Sequence, residues 1–142
     1  MKILIFGLPG SGKTTLSKEL AYRFNFPHFN ADVMREWYGD FDFSRVGRMR
    51  QASRMHNIDY GILDFVCPID MMRGGDYKIW MDTIKESRFD DTNEVFEIPD
   101  EYDLRITEWI DLNQLRNSLE DSNPGIKGIQ SYLREHLPKL VK

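Results

Sequence analysis

The hydrophobic positions of this chain form short apolar runs that alternate with longer stretches of helical spacing. Residues 3–6 are an uninterrupted apolar run, as expected of a strand buried on both faces. From residue 14 to about residue 24, Leu16, Leu20 and Phe24 recur four apart, which is the spacing of one helical face. This alternation predicts βα units around a parallel sheet.

The same patterns predict the elements further along the chain. Strands are expected at His28–Asn30, 61–66, Tyr77–Met81 and 103–107, and Ser44 is the expected N-cap of a helix that runs to about residue 57. Residues 90–103 contain seven acidic residues and no basic one, and are expected to form an exposed loop. Asp111 and the Asn123-Pro124 pair are the expected N-caps of two more helices, the last ending near Leu137.

A phosphate-binding motif follows the first strand. Residues 7–14 read GLPGSGKT and match GxxxxGK[ST] at every fixed position, between a buried strand and a helix. The glycines let successive backbone N–H groups point at phosphate oxygens, and the helix N-terminus adds partial positive charge. Lys13 is expected to reach the β- and γ-phosphates of ATP, and Thr14 to ligate Mg²⁺. The predicted nucleotide-binding residues are Gly7, Pro9, Gly10, Ser11, Gly12, Lys13, Thr14 and Thr15.

This motif predicts the P-loop NTPase fold among the α/β architectures. We expect a five-stranded parallel sheet in the order 2-3-1-4-5, with helices on both faces and right-handed crossovers. The strand that leads into the phosphate loop should lie in the middle. The 142 residues suffice for a single kinase domain, with a lid at about residues 84–101.

Charge and composition restrict the class of ligand. The net charge is −4, with nine Lys/Arg against six Asp/Glu in residues 1–60 and ten against seventeen in residues 61–142. The chain therefore lacks the broad basic stripe of proteins that bind long nucleic acids, and its basic N-terminal half suits a small anionic ligand.

No apolar run approaches the roughly 18 residues of a membrane span. The single cysteine, Cys67, is expected to be a buried, inert thiol in a cytoplasmic protein, and the oligomeric state is left open, a homodimer included.

Asp32 and Arg35 follow the second predicted strand. In a P-loop kinase this position faces the γ-phosphate, where a carboxylate can orient or deprotonate the acceptor hydroxyl and an arginine three residues later shares its helical face. The alternative is a capping aspartate followed by a surface arginine.

Asp64 also has two interpretations, a Walker B type magnesium ligand or a structural acid near a strand end. The three histidines show no metal-ligand spacing, and none is assigned a role.

Taken in order, these motifs resemble the adenylylsulfate kinase family. The P-loop, Asp32-x-x-Arg35 and Phe43-Ser44-x-x-x-Arg48-x-x-Gln51 are similar to the family's P-loop, Asp-x-x-Arg and Phe-Ser-x-x-x-Arg-x-x-Asn, at similar spacing. The likeness continues through residues 64–68 (DFVCP) and Arg73, then residues 80–83 (WMDT), and ends with Phe89 and residues 96–99 (FEIP) of the lid. It covers residues 2 to about 105.

The resemblance implies an ATP-dependent kinase that phosphorylates the 3′-hydroxyl of adenylylsulfate. Phe43 and Phe89 would sandwich the acceptor's adenine, Arg35 and Arg48 would bind its phosphate and sulfate, and Asp32 would meet the hydroxyl. Gln51 and Pro68 complete the predicted substrate-binding residues, and Thr14 and Asp64 are the predicted metal ligands. The alternative is that the two phenylalanines are core residues and that Arg45, Arg48, Arg50 and Arg54 form a solvated helix face.

The chain departs from the family pattern in ways that leave the acceptor open. Asn30 and Gln51 stand where the family has aspartate and asparagine, and only a short segment joins Thr83 to Phe89, where the family has a long basic lid helix. Arg88 is then the candidate for the charge that stabilises the transferring phosphoryl group. The other functions considered are a nucleotide kinase, a polynucleotide kinase, which the acidic balance disfavours, and an NTP-binding regulatory module with weak hydrolysis, which the minimal lid favours.

Overall fold

The computed structural model describes residues 1–109, in which strands and helices alternate as predicted. The strands are β1 (Lys2–Phe6), β2 (His28–Asn30), β3 (Gly61–Asp64), β4 (Tyr77–Met81) and β5 (Leu104–Ile106). The helices are α1 (Lys13–Phe24), α2 (Ala31–Tyr38), α3 (Arg45–His56) and α4 (Asp90–Val95), with a 3₁₀ turn at Asp70–Met72. The helix caps expected at Asp111 and Asn123 lie outside the described residues.

The five strands form one parallel sheet in the order β2-β3-β1-β4-β5, which confirms the predicted topology. β1 is the central strand, hydrogen-bonded to β3 on one side and β4 on the other. The carboxyl ends of all five strands lie at one edge of the sheet, so the loops after β1, β2, β3 and β4 meet there. In open parallel sheets this is the edge at which ligands bind.

Successive side chains of β1 point to opposite faces of the sheet, and both faces are buried. Ile3 and Ile5 belong to one hydrophobic cluster, which contains the apolar face of α1. Leu4 and Phe6 belong to a second cluster with residues of α2 and α3. The sheet is thus covered by α1 on one side and by α2 and α3 on the other. No helix within residues 1–109 has the length and apolar character to cross a bilayer.

Two predicted boundaries and one predicted loop differ from the structure. β3 ends at Asp64 rather than at residue 66, because Cys67 adopts the left-handed φ of 44° and turns the chain out of the sheet. β5 is one residue shorter at each end than expected. Residues 90–95 form α4 instead of an exposed loop, since Asp90 and Asp91 lie in its first turn, where the helix dipole favours negative charge.

Candidate active site

The phosphate loop is held between β1 and α1 by glycines that other residues could not replace. Gly7 has φ 153°, and a Cβ there would lie 2.5 Å from the carbonyl oxygen of Met81. Gly12 has the left-handed φ of 97° where α1 begins. The hydroxyl of Thr83, just after β4, donates to the carbonyl of Ser11 at 2.7 Å and ties the loop to the sheet.

Lys13 is buried within this loop and carries a charge with no ion-pair partner among residues 1–109. Its Nζ donates to the carbonyl of Leu8 at 3.0 Å. Burial lowers the pKa of Lys13, and the nearby carboxylates of Asp64 and Asp32 oppose that shift. A buried cation without a counter-ion favours the binding of an anion.

Asp64, at the end of β3, is the centre of a hydrogen-bond network beside the phosphate loop. Its Oδ2 accepts from Thr14 Oγ1 at 2.8 Å and Asn30 Nδ2 at 3.2 Å, and lies 3.0 Å from His28 Nε2. Its Oδ1 is buried without a hydrogen-bond partner in the described part of the chain. Burial raises the pKa of Asp64, but the hydrogen bonds from His28, Thr14 and Asn30 and the charge of Lys13 hold it below its usual value.

Sequence reasoning missed two members of this network. His28 was assigned no role, and Asn30 counted only as a departure from the family. In the parallel pairing of β2 with β3, Asn30 is opposite Asp64 and His28 is opposite Ile62. The available signal was their spacing, since residues two apart in a strand point to the same face.

Asp32 and Arg35 both lie on α2, which is capped by Asn30 and not by Asp32. The Asn30 side chain accepts from the backbone N–H groups of Asp32 and Val33. Asp32 is exposed to the cavity described below, while Arg35 is buried. Arg35 Nη1 donates to the carbonyls of Asp40 and Asp42 at 3.1 Å each, and its guanidinium lies 4.2 Å from the centroid of the Phe43 ring.

Arg48, on α3, is the second buried arginine of the site. Its Nε donates to the carbonyl of Phe43 at 2.8 Å and its Nη2 to Thr92 Oγ1 at 3.2 Å. Burial is the largest influence on the pKa of Arg48 and of Arg35, and lowers both. The one ion pair of Arg48 within the described range is to Asp91, at 3.6 Å, and that carboxylate is 69 % exposed.

Phe43 is half-exposed and Gln51 is buried, both beside these arginines. The guanidinium groups of Arg35 and Arg48 both lie near the Phe43 ring, 4.2 and 5.4 Å from its centroid, so the two arginines restrict how a ligand could stack on it. Gln51 donates through Nε2 to the carbonyl of Ala31 at 3.0 Å and joins α3 to the start of α2. Arg50 and Arg54 are not simply solvated, since both form ion pairs with Asp40.

Arg88 and Phe89 form the lid side of the site. Both are exposed, and the Arg88 guanidinium lies 5.0 Å from the centroid of the Phe89 ring. They follow Ser87 in a turn that leads into α4.

The opposite wall consists of Cys67 and Pro68, which Arg73 holds in position. Arg73 Nε donates to the carbonyl of Cys67 at 2.8 Å, and its Nη2 donates to those of Pro68 and Glu97 at 3.3 and 2.7 Å. Its guanidinium lies between the rings of Phe6 and Phe96. Cys67 is buried as predicted, and burial raises the pKa of its thiol to about 12.

One cavity of about 840 Å³ joins these parts, which is within the size range of small-molecule sites. The predicted residues that line it are Pro9, Gly10, Lys13, Thr14, Asp32, Arg35, Phe43, Arg48, Gln51, Asp64, Pro68, Arg88 and Phe89. Gly7, Ser11, Gly12 and Thr15 do not line it and shape the loop or begin α1. The structure therefore brings together motifs that lie up to about 80 residues apart in the sequence.

Comparison with known proteins identifies the fold. The family model of an AAA domain matches residues 6–58, from the end of β1 to just beyond α3. The search of curated proteins gave no match. APS kinase CysC of Mycobacterium tuberculosis superposes with a TM-score of 0.55 at 21% identity, over 75% of this chain and 84% of that one. Shikimate kinase of Aquifex aeolicus gives 0.52 at 14% identity, over 75% and 85%. This chain has the P-loop kinase fold.

The family match covers only part of the site of this P-loop kinase fold. It spans the phosphate loop, Asp32, Arg35, Phe43, Arg48 and Gln51. The cavity wall at Pro68 and the lid at Arg88 and Phe89 lie beyond residue 58. The family model therefore describes the phosphate-loop half of the cavity and not the lid half.

The donor atoms beside the P-loop are suited to magnesium. Mg²⁺ in nucleotide sites is usually bound by one or two protein oxygens together with phosphates and waters. The Thr14 hydroxyl keeps lone pairs while it donates to Asp64, and Asp64 Oδ1 is free to accept. Residues 1–109 contain no cluster of three or more carboxylate, histidine or cysteine ligands, so an all-protein metal cage is not formed there.

Proposed function

We propose that this protein is an ATP-dependent phosphotransferase that phosphorylates a hydroxyl of a small, nucleotide-like acceptor, with the 3′-hydroxyl of adenylylsulfate as the leading candidate. The observation that carries the proposal is the continuity of one cavity. Its P-loop end presents Lys13 and Thr14, and its other end presents two aromatic rings and two buried arginines. A cavity with only the first end would suit nucleotide binding alone.

The P-loop end is the proposed site of ATP and magnesium. Lys13 would exchange its contact with the Leu8 carbonyl for phosphate oxygens, which are stronger partners for a cation. Thr14 and Asp64 would hold the magnesium ion, with His28 and Asn30 orienting the Asp64 carboxylate. When bound, ATP supplies the phosphoryl group and magnesium neutralises part of its charge.

The opposite end is the proposed acceptor site. Arg35 forms no ion pair within residues 1–109, and Arg48 pairs only with the exposed Asp91. Two buried guanidinium groups without a buried carboxylate favour a ligand that brings its own oxyanion. The face of the Phe89 ring away from Arg88 can stack on a purine. Phe43 lines the same cavity beside Arg35 and Arg48, whose guanidinium groups lie 4.2 and 5.4 Å from its ring centroid.

Asp32 and Arg88 are the proposed catalytic groups between the two ends. Asp32 is an exposed carboxylate on the cavity wall, one turn from Arg35, where it can orient the acceptor hydroxyl and accept its proton. Arg88 can place its charge over the transferring phosphoryl group. The name of the M. tuberculosis structure, APS kinase, supports adenylylsulfate as the acceptor, and that of the second structure brings shikimate into the set to be tested.

Transfer of labelled phosphate from ATP tests this proposal. The purified protein would be incubated with γ-labelled ATP, magnesium and one acceptor at a time: adenylylsulfate, adenosine monophosphate, shikimate, a 5′-hydroxyl oligonucleotide, or none. We expect labelled product with adenylylsulfate, and none from a Lys13→Ala variant. Release of phosphate that no acceptor increases, with no labelled product, would instead support the NTP-binding module and overturn the kinase proposal.

A further inference from the structure

The turn that carries Arg88 and Phe89 is closed by one side chain, that of Asn93 in α4. Asn93 Oδ1 accepts from the backbone N–H of Ser87 at 2.8 Å and from its hydroxyl at 2.7 Å. Asn93 Nδ2 donates to the carbonyl of Ser87 at 2.8 Å. The backbone and the hydroxyl of Ser87 are therefore all bound by the amide group of Asn93.

The Ser87 hydroxyl extends this arrangement to Phe89. Since its single proton is donated to Asn93, the oxygen is free to accept from the backbone N–H of Phe89, which lies 3.2 Å away. The backbone N–H of Asn93 donates in turn to the carbonyl of Phe89 at 3.0 Å. We call this set of contacts among Ser87, Phe89 and Asn93 the lid clasp. It fixes the backbone on both sides of Arg88.

The clasp is anchored to the acceptor side of the cavity. Thr92, which precedes Asn93 in α4, is buried, and its hydroxyl accepts from Arg48 Nη2 at 3.2 Å. Arg48 also donates to the carbonyl of Phe43. A continuous chain of contacts therefore runs from Phe43 through Arg48 and α4 to the turn with Arg88 and Phe89.

We propose that Asn93 is a positioning residue that holds Arg88 and Phe89 over the cavity in place of a longer lid. Arg88 and Phe89 are exposed, so core packing does little to fix them. A polar clasp can supply the missing order, because side chains that are prearranged for a ligand lose less entropy when it binds. This inference rests on the proposed function, since it assigns the clasp a role in the same site.

Kinetics of Asn93→Ala test the positioning role. Loss of the amide removes three hydrogen bonds of the turn, and we expect the acceptor KM to rise about tenfold while the ATP KM stays unchanged. Glu94→Ala is the matched control, because Glu94 is exposed on the same helix and does not line the cavity. Ser87→Ala keeps the two backbone bonds to Asn93 and loses only those of the hydroxyl, so it should raise the acceptor KM less than Asn93→Ala does. Ser87→Thr, which keeps the hydroxyl, should stay near the wild-type value. An Asn93→Ala protein with wild-type constants would overturn the inference.

A double-mutant cycle with Arg88→Ala separates this inference from the proposed function. The rate measured is that of ATP hydrolysis without an acceptor. The cycle can therefore be carried out even if the protein phosphorylates none of the acceptors tested. If Asn93 acts through Arg88, Asn93→Ala should slow hydrolysis in the wild-type background and cause no further loss in the Arg88→Ala background. No loss in the wild-type background, or fully additive losses, would contradict the inference. Amide hydrogen exchange gives a readout without turnover: protection of the Phe89 N–H should fall in Asn93→Ala but not in Glu94→Ala, and unchanged protection would exclude the clasp.

Discussion

Lys13 is the residue on which nucleotide turnover should depend most. Lys13→Ala removes a charge that nothing else in the described P-loop replaces, and we expect turnover to fall at least about a hundredfold. The thermal stability should stay the same or rise, because burial of the charged amine opposes folding. Steady-state kinetics and thermal melts would measure both, with Lys18→Ala, an exposed lysine of the same helix, as the control. Near-normal turnover in a folded variant would contradict the assignment.

The buried position of Lys13 also predicts a pH dependence. Because burial lowers its pKa below the ordinary 10.5, the amine loses its proton at a lower pH than a surface lysine does. Turnover should therefore decline as the pH rises through that lowered pKa, and be full below it. A Lys13→Arg variant, whatever its maximal rate, should not show this alkaline decline, because arginine keeps its charge. A profile of kcat/KM for ATP against pH for the two proteins would test this, because that constant reports the free enzyme.

The two aromatic rings should affect the acceptor and not ATP. If Phe43 and Phe89 stack on a base, each contributes about 1–3 kcal/mol. Phe43→Ala or Phe89→Ala should then raise the acceptor KM about ten- to a hundredfold and leave the ATP KM and the melting temperature largely unchanged. Phe41→Ala, an exposed phenylalanine outside the cavity lining, is the control. Lost stability without an acceptor defect would favour core packing instead.

Asp32→Asn should have the opposite kinetic signature. The amide keeps the size of the carboxylate but cannot accept the hydroxyl proton, so kcat should fall while both substrates still bind. Saturation kinetics for each substrate would separate the two constants. A rise in the acceptor KM with an unchanged kcat would mean that Asp32 binds the acceptor without taking part in proton transfer.

The motifs of the site could be predicted from the sequence, but its hydrogen-bond network could not. The P-loop spacing was sufficient to place Lys13 and Thr14 at the start of α1, directly after the turn from β1, since that motif is local. His28 reaches Asp64 only through the pairing of β2 with β3, and the sequence near residue 28 indicates at most that His28 and Asn30 share a strand face. The same is true of Arg73, whose carbonyl partners in residues 67, 68 and 97 lie in two separate loops.

At the scale of elements, the segment between α2 and α3 is the part that presents Phe43. Gly39 ends α2 in the left-handed conformation, and Gly47 lets the segment pack on α3, because a Cβ there would overlap the backbone carbonyl of Asp42. Arg50 binds both oxygens of Asp40 at 2.7 and 3.0 Å, and its hydrogen bonds hold the pKa of that carboxyl well below its usual range. The ion pair therefore persists at neutral pH.

Arg50→Ala should loosen this segment and weaken acceptor binding. Arg35 donates to two carbonyls of the segment, so its position depends on the contacts that Arg50 makes. We expect a rise of a few-fold in the acceptor KM with an unchanged ATP KM, a modest effect because exposed ion pairs contribute little. Arg45→Ala, on the exposed face of the same helix, is the control. Equal behaviour of the two variants would show that Arg50 has no role in the site.

Element prediction was accurate where a local signal existed. The hydroxyl of Ser44 accepts from the backbone N–H of Gly47, as its position before an apolar-spaced run predicted. α4 was predicted to be a loop because its composition is acidic and lacks apolar spacing. Its acidic first turn suits the helix N-terminus, and Thr92 accepts a hydrogen bond from Arg48 on α3, a long-range contact that composition cannot predict.

For the whole molecule, the P-loop motif predicted a buried central strand before the loop, and the strand order 2-3-1-4-5 was expected because it is the usual arrangement of nucleotide kinases. The shape of the lid could not be predicted in this way. Its parts come from residues 83–97, and their arrangement depends on contacts with α3, such as the hydrogen bond from Arg48 to Thr92.

Because β1 is the central strand, the phosphate loop is synthesised early, but the strands and side chains that hold it in place are synthesised later. Both neighbours of β1 come much later in synthesis, β3 from residue 61 and β4 from residue 77. The loop also needs Met81 beside Gly7 and Thr83 to hold Ser11. A nascent chain must therefore keep an apolar strand unpaired while most of the domain is made, a condition that slows folding and invites chaperone binding. Capacity to bind ATP should appear only after residue 83 has left the ribosome.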